Sequence, residues 1–198
     1  MPINKNHLYE IGAVLEKYNA GDYIFRENGT PQFYYQILTG EIKLNNYHSD
    51  GKEFIQNILS TDDSIGESLL FTEKAYPMNA RALTECSLLK LSKTSFYKLL
   101  ELQPQLYLML CKALSERLYK KYILIKSVSC HSASERQNEV MQLMKQEQDN
   151  QSPFTFEIPL TRQQLASLTG LCIETTIRTI KKMERQKLLR IENRKIMY

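Results

Sequence analysis

The sequence lacks the residue clusters that most enzyme and metal sites need. Its 198 residues include only four cysteines and three histidines. No two cysteines lie within four positions of each other, which excludes the usual zinc and iron–sulfur spacings. A glycine-rich phosphate loop, a nucleophile elbow and an HExxH motif are also missing. We therefore expect no catalytic residue, no metal and no cofactor, and we predict that the cysteines are small buried apolar side chains.

Long apolar segments are absent as well. The longest clean apolar run, residues 106–111, is far too short to cross a bilayer. The first twelve residues contain no apolar core of the kind that secretion signals carry. We therefore expect a cytoplasmic protein with no membrane partner, and the length permits one large domain or two small ones.

The net charge of +4 is unevenly distributed. Residues 161–198 carry nine lysines and arginines against three acids, a net charge of +6. The rest of the chain holds 17 basic and 19 acidic side chains, a net charge of −2. A basic C-terminal fifth is typical either of a solvated helix face or of a surface that binds nucleic acid.

Residues 18–94 have the pattern of short β-strands. Apolar and polar residues alternate in short runs, and turn signals such as Asn28-Gly29 and Ser49-Asp50-Gly51 separate the runs. Several short strands with frequent turns favour a β-sandwich or a small barrel.

The chain then becomes helical, and helices are predicted over residues 93–101 and 105–128 on either side of Pro104. In the second helix, residues recur with alternating spacings of four and three, the a and d positions of a coiled coil, and one lysine interrupts the apolar series. Such a seam favours pairing with a second copy over packing on the chain's own β domain. Its members are Tyr107, Cys111, Leu114, Leu118, Lys121, Ile125 and Val128.

A polar stretch at residues 129–134 indicates a hinge before the C-terminal region. Ser134 and Gln137 have the spacing of a capping box, which predicts a helix from there to about Gln148. Residues 154–158 alternate as a short strand.

Two short helices around a glycine follow. Thr161 is a predicted N-cap, Gly170 a helix stop, and a second helix is predicted from about Cys172 to Lys187. This is the arrangement of a helix-turn-helix. The predicted core stripe of the second helix is Ile173, Ile177, Ile180 and Met183. The opposite, mostly basic face is Glu174, Arg178, Lys181, Lys182 and Arg185.

That basic face has the chemistry for DNA. A helix enters the major groove, where arginine can donate two bonds to guanine and lysine can neutralise phosphates. Residues 190–196 predict a small hairpin, or wing, with Arg194 and Lys195 at its tip to touch phosphates.

Together these motifs resemble the Crp/Fnr regulators, relatives of the cyclic AMP receptor protein. The resemblance implies an α+β protein with an N-terminal β jelly-roll domain of the cyclic-nucleotide-binding type (residues 1–103), a dimerisation helix and hinge (104–130) and a C-terminal winged helix-turn-helix (131–198). It also implies a homodimer that binds a palindromic operator in double-stranded DNA to switch transcription, with RNA polymerase as a further candidate partner. The motifs are residues 21–27 (GDYIFRE), 35–43 (YQILTGEIK), 50–52 (DGK), 65–67 (IGE), 160–170 (LTRQQLASLTG) and 174–178 (ETTIR).

By motif position, the resemblance also implies which residues meet DNA. The backbone contacts are Thr161, Arg162 and Gln163, the base contacts Glu174 and Arg178, and the phosphate contacts Thr175 and Lys181, beside Lys182 on the same face. Relatives often have a polar cap and then an arginine where this chain has Cys172 and Ile173. Because cysteine is a poor N-cap and isoleucine cannot donate to guanine, no relative's operator sequence is carried over.

The nucleotide pocket of the relatives is only partly retained. Gly66 and Glu67 match the Gly-Glu pair that supplies a backbone donor and a carboxylate for the ribose. Tyr76 and Pro77 stand where the relatives have the Arg-Ser pair that holds the phosphate, so a charge and a donor are missing. Arg81 is an odd number of positions from Tyr76, which predicts that it points to the opposite face of its strand.

On the long helix, Lys121 and Tyr122 stand where the cyclic AMP receptor presents small hydroxyl groups to the base. We therefore expect that any effector is not cyclic AMP. One hypothesis for Lys121 is that it meets an acidic group on the effector, and two alternatives are favoured over it. The alternatives are that Lys121 pairs with an acid such as Glu67 or extends to water. The identity of a small-molecule effector stays open.

Three other functions remain alternatives. A cupin-like jelly-roll enzyme needs about three histidines and a carboxylate at a metal, and the histidines here are His7, His48 and His131. A redox or haem sensor of the same family is the second, although the iron–sulfur branch needs an N-terminal cysteine cluster. The third is a ligand-binding module without a DNA role, which the helix-turn-helix pattern disfavours.

Overall fold

The computed structural model describes residues 3–128, 132–146 and 148–198. The chain divides into two compact units, one that ends at Ser115 and one that begins at Glu116. The division lies inside the long helix. The domain boundaries predicted after residues 103 and 130 stay predictions.

In the part of the chain that the structure describes, eight strands and three helices precede the long helix. The strands are β1 (Val14–Tyr18), β2 (Tyr23–Phe25), β3 (Phe33–Thr39), β4 (Ile42–Tyr47), β5 (Glu53–Leu59), β6 (Ser64–Ile65), β7 (Asn79–Ala82) and β8 (Cys86–Ser92). The helices are α1 (Lys5–Glu10), α2 (Glu67–Leu70) and α3 (Lys93–Leu102).

These strands form antiparallel sheets in the orders β1-β8-β3-β6 and β2-β7-β4-β5. Alternate residues of a strand point to opposite faces, so Tyr34 of β3 packs in one apolar core while Tyr35 packs in another. Leu89 and Leu88 of β8 divide in the same way. The Tyr35 core lies between the sheets, and the Tyr34 core lies against the helices. The predicted sandwich of short strands is confirmed.

The first strand and helix were not predicted. α1 begins after Asn4, whose side chain accepts from the amide of Asn6 at 2.9 Å. β1 begins at Val14, four residues before the predicted β region, and pairs with β8 from Val14 to Tyr18. A six-residue helix and an edge strand give weak periodic signals, because their order depends on packing against the core rather than on propensity.

The long helix, α4 (Gln105–Val128), has the predicted bounds. Leu106 and Leu110 are buried in the helix-side core, and Leu114 of the predicted seam packs against the same core. Leu114 therefore packs on its own β domain, which is the alternative to pairing with a second copy. The side chain of Val128 lies outside the described ones. The other seam side chains are exposed, and they are Tyr107 (42%), Leu118 (48%), Ile125 (67%), Cys111 and Lys121.

The second unit contains three further helices and a hairpin within its described residues. They are α5 (Ala133–Lys145), α6 (Arg162–Thr169), α7 (Ile173–Arg185), β9 (Arg190–Glu192) and β10 (Lys195–Met197). Residues 154–158 do not form the predicted strand, since only a single bridge joins Glu157 to Met197. Backbone bonds nevertheless join Phe156 to Tyr198 and Ile158 to Ile196, which ties this segment to the hairpin.

The predicted start of α5 was wrong. The N-cap is Ser132, whose hydroxyl accepts from the amide of Glu135 at 3.1 Å, and the helix ends at Lys145 rather than near residue 148. Gln137 cannot complete a capping box with Ser134, because its side chain is fully buried and donates to the carbonyl of Thr176. Of the predicted hinge, residues 129–131 lie outside the described residues, and residues 133 and 134 belong to α5.

The cysteine prediction holds only for Cys86, which is buried in the inter-sheet core. Cys111 and Cys172 are exposed, so their prediction as buried side chains was wrong, and Cys130 lies outside the described residues. No helix within the described ranges is both long and apolar enough to cross a membrane. No group of three or more His, Cys, Asp or Glu side chains in those ranges is placed to hold a metal ion.

Candidate nucleic-acid interface and effector cradle

α6 is capped at both ends. The hydroxyl of Thr161 accepts from the amide of Gln164 at 3.1 Å, and the side-chain oxygen of Gln164 accepts from the amide of Thr161 at 2.8 Å. This reciprocal capping box and the left-handed Gly170 (φ 66°) fix the ends of the helix, as the N-cap and stop signals predicted. Thr161 and Gln163 are exposed and Arg162 is half-buried. Their contacts with a DNA backbone stay predictions.

The buried face of α7 differs from the predicted core stripe. Its buried residues are Thr176, Thr179, Ile180 and Met183. Ile173 is only half-buried and Ile177 is 41% exposed, so both were wrongly predicted as core. The core side of the helix is turned by about 55° from the predicted one, at 100° per residue.

Contacts from α5 account for this rotation. The Gln137 amide donates to the carbonyl of Thr176 at 3.4 Å, and both side chains are fully buried. Arg136, the residue before Gln137 in α5, donates from Nη1 to the carbonyl of Thr169 at the end of α6 at 3.2 Å. Neither α5 residue was predicted as part of the site, because a helix pattern does not reveal which neighbouring carbonyl a side chain will meet.

The opposite face of α7 is exposed and mostly basic, as predicted. Its charged members are Glu174, Arg178, Lys181, Lys182 and Arg185. One carboxylate against four cations leaves this face strongly positive, which attracts the phosphates of a nucleic acid. The roles of individual residues on DNA stay predictions.

The N-terminus of α7 has an unusual cap. Cys172 stands at the N-cap position and makes no side-chain bond to the backbone, as expected of a cysteine. Its sulfur instead lies 3.0 Å from the hydroxyl of Thr175, and a hydrogen bond from that hydroxyl to the thiolate lowers the pKa of Cys172. Thr175 is half-buried, and its predicted contact with a phosphate is not tested.

The wing is a tight two-residue hairpin. Asn193 (φ 48°) and Arg194 (φ 66°) both adopt the left-handed conformation that the two central residues of a type I′ turn require. Arg194 is exposed at the tip, as predicted. Lys195 lies beside the tip in β10, and its amino group is 2.8 Å from the carboxylate of Glu157.

The effector cradle, which we define as Gly66, Glu67, Tyr76 and Pro77, lies at the start of α2 and in the loop before β7. Gly66 has φ 89°, and a Cβ at this position would be 2.7 Å from the carbonyl oxygen of Phe33. Only glycine therefore fits without a shift of β3. Glu67 is buried, with 1% of its surface exposed.

Tyr76 is packed inside this cradle. Its ring stacks on Phe25 with centroids 3.8 Å apart, and its hydroxyl would be 3.7 Å from a Cβ on Gly66. Its backbone amide donates to the carbonyl of Gly29 at 2.9 Å. Burial, and next the nearby charge of Glu67, raise the pKa of Tyr76 to about 12. An aromatic side chain thus lies beside Gly66, and no sequence pattern indicated that it stacks on Phe25.

The remaining cradle predictions concern Pro77 and Arg81. Pro77 is exposed, and its carbonyl accepts from the side chain of Asn46 at 2.8 Å. Arg81 lies between the buried Ala80 and Ala82 and donates from Nε to the carbonyl of Gly21 at 2.7 Å. It therefore points away from the inter-sheet core, but Tyr76 precedes β7 (Asn79–Ala82), so the odd spacing within one strand does not apply to this pair.

Lys121 and Tyr122 of α4 are exposed, Tyr122 by 59%. They belong to the second unit, whereas the cradle belongs to the first. Their predicted contacts with an effector stay predictions.

Known proteins match both units. Residues 15–103 match the family model of the cyclic nucleotide-binding domain, and residues 140–198 match that of the Crp-like helix-turn-helix domain. The cAMP-activated global transcriptional regulator CRP of Haemophilus influenzae is 24% identical over 185 residues, which cover 92% of this chain and 83% of that relative.

Solved structures show the same fold. A CooA mutant from Carboxydothermus hydrogenoformans is similar with a TM-score of 0.82 at 15% identity, covering all of this chain and 87% of that one. The c-di-GMP responsive global regulator CLP of Xanthomonas campestris is similar with a TM-score of 0.79 at 20% identity, and the match covers 97% of this chain and 96% of that one. The matched models coincide with the β-sandwich and the winged helix, in that order along the sequence. The chain therefore belongs to the Crp/Fnr family of DNA-binding transcription regulators.

Proposed function

We propose that two copies of this chain pair through α4 and bind a palindromic operator in double-stranded DNA, and that cyclic AMP is not the signal. The observation that carries the proposal is the exposed basic face of α7, held at the second position of a capped helix-turn-helix. A recognition helix in this position lies in the major groove, where its first turns meet base edges.

The contacts follow from exposure and charge. Glu174 and Arg178 are one helical turn apart on the exposed face, so both can reach base edges, the carboxylate accepting from cytosine and the guanidinium donating to guanine. Thr161, Arg162, Gln163, Thr175, Lys181, Lys182, Arg194 and Lys195 contact the sugar–phosphate backbone. These phosphate contacts set affinity and register rather than sequence.

Pairing rests on the surface of α4. In the single chain, Leu118 and Ile125 are 48% and 67% exposed. Pairing of two α4 helices as a coiled coil buries the apolar surface of both. Two copies related by a two-fold axis present two α7 helices to an inverted repeat. RNA polymerase is the further partner that we propose for the dimer on DNA, and we propose a cytoplasmic location for the protein. We propose no enzymatic role.

The exclusion of cyclic AMP rests on Tyr76. Its side chain is buried with the hydroxyl 3.7 Å from where a Cβ on Gly66 would stand, and Pro77 beside it has no amide hydrogen to offer a phosphate. A nucleotide would have to displace this stacked ring and bind without the arginine of the relatives. Tight binding of cyclic AMP to the folded protein would raise the melting temperature, and we expect no such rise in a titration.

Selection of bound sequences from random duplexes tests the main proposal. We expect an inverted repeat, bound by a dimer at the protein concentration used. Recovery of a sequence without two-fold symmetry, or binding by a monomer, would contradict the palindromic part of the proposal.

On the selected operator, Arg178→Ala should weaken binding by roughly 1–3 kcal/mol and relax the preference at one base position of each half-site. Lys182→Ala on the same exposed face is the matched control, since loss of a phosphate contact weakens all sequences alike. Equal losses on every duplex for Arg178→Ala would show that Arg178 contacts only phosphate.

A further inference from the structure

Ile177 is an exposed apolar side chain on the charged face of α7. It is 41% exposed, whereas Thr176 before it is fully buried. By helical spacing, its neighbours on the surface are Glu174 at three residues before it and Lys181 at four residues after it. Ile177 thus lies at the border between these charged side chains and the apolar Ile173 and Ile180, which are four residues before it and three residues after it.

This placement inverts the usual burial pattern of an amphipathic helix. An amphipathic helix normally buries isoleucine and exposes threonine, and here the two adjacent residues have the reverse arrangement. The reverse is stabilised by α5, because Gln137 donates to the carbonyl of Thr176 and both side chains are buried. An exposed isoleucine adds nothing to helix propensity either, since β-branched residues rank below alanine and leucine.

The chemistry of the major groove supplies a partner for such a side chain. Thymine is the base that presents a methyl group there, and apolar side chains recognise it by contact. Isoleucine is suited to this contact because its branched Cβ restricts χ1, so its methyl groups are held in place before binding. Arg178, the next residue, supplies polar recognition beside it.

We propose that Ile177 reads the 5-methyl group of one thymine in each half-site of the operator. The inference rests on the proposed binding of α7 in the major groove and adds a specificity-determining residue to it. The half-site should then combine a guanine or cytosine contact from Arg178 or Glu174 with a neighbouring thymine.

The test replaces each thymine of the selected operator, one at a time, by deoxyuridine. Deoxyuridine pairs with adenine in the same way and lacks only the methyl group. For the wild-type dimer we expect one position in each half-site at which the replacement lowers affinity about fourfold, the factor that corresponds to burying one methyl group. For Ile177→Ala the thymine and deoxyuridine duplexes should bind equally at that position.

Two further variants serve as controls. Ile177→Val keeps a branched side chain and should keep the discrimination. Leu188→Ala removes another exposed apolar side chain (47% exposed) outside α7 and should discriminate as the wild type does. Because Ile177 is exposed, the melting temperature of Ile177→Ala should match that of the wild type.

Each outcome decides the question. A wild type that binds all deoxyuridine duplexes as tightly as the thymine operator overturns the inference, and so does an Ile177→Ala variant that still discriminates as the wild type does. If selection returns no preferred sequence, the proposed sequence-specific binding fails and the role of Ile177 fails with it. A preferred operator without methyl discrimination overturns the role of Ile177 alone.

Discussion

Replacing Gly66 by alanine tests how tightly the effector cradle is built. Gly66 has φ 89°, and a Cβ there would lie 2.7 Å from the carbonyl oxygen of Phe33, closer than real Cβ contacts come. That carbonyl belongs to the backbone of β3, which pairs with β6 on one side and β8 on the other. Because a strand held on both sides cannot easily move away, the added Cβ would strain the backbone around Gly66.

Gly51 provides the matched control. It has φ 81°, nearly the same backbone conformation, and a Cβ there would meet nothing within 4 Å. Alanine at either position pays about 1–2 kcal/mol for the left-handed conformation. About 0.4–1 kcal/mol of that cost is offset because alanine restricts the unfolded chain. Gly51→Ala should therefore lower the free energy of unfolding by about 1 kcal/mol.

Gly66→Ala carries the same backbone cost and adds the crowding against Phe33. Overpacking of this kind costs typically about 1–3 kcal/mol, so the total loss should be about 2–4 kcal/mol. Urea unfolding followed by circular dichroism measures both variants, and the slope with urea should be unchanged. Equal losses for the two variants, within about 0.5 kcal/mol, would refute the account of Gly66 as a sterically required glycine.

Two further predictions concern Tyr76 and the wing. The pKa of Tyr76 is raised to about 12, so between pH 10 and pH 12 the folded protein keeps a proton that the unfolded chain releases, and stability falls as pH rises. Relative to Tyr76→Phe, the wild type should lose up to about 3 kcal/mol over that range, and parallel pH profiles would contradict this. On DNA, Arg194→Ala should lower the slope of log affinity against log salt by about 1, while Lys195→Ala should lower it less because Glu157 already lies 2.8 Å from its amino group. Equal slopes for the two variants would show that Glu157 does not compete with phosphate for Lys195.

Local signals in the sequence predicted a large share of this protein. Thr161 and Gly170 end α6 as predicted, because a cap depends on one side chain and the backbone beside it. The bounds of α4 and the strand-rich first unit follow from the spacing of apolar residues, which reports the period of each element. The order of such motifs along the chain was enough to indicate the family.

The sequence by itself therefore determined the strand-rich first unit, the long helix and the basic helix-turn-helix, but not α1, β1 or the start of α5. The tertiary structure alone decided which side of each element is buried. Gln137 of α5 turns Thr176 inward and leaves Ile177 exposed, and Phe25 stacks on Tyr76 within the cradle. These contacts join residues far apart in the chain, and their energies depend on how neighbouring elements pack. A periodic pattern carries no record of that packing, which is why the exposure of Ile177 and the stacking inside the cradle were found only in the fold.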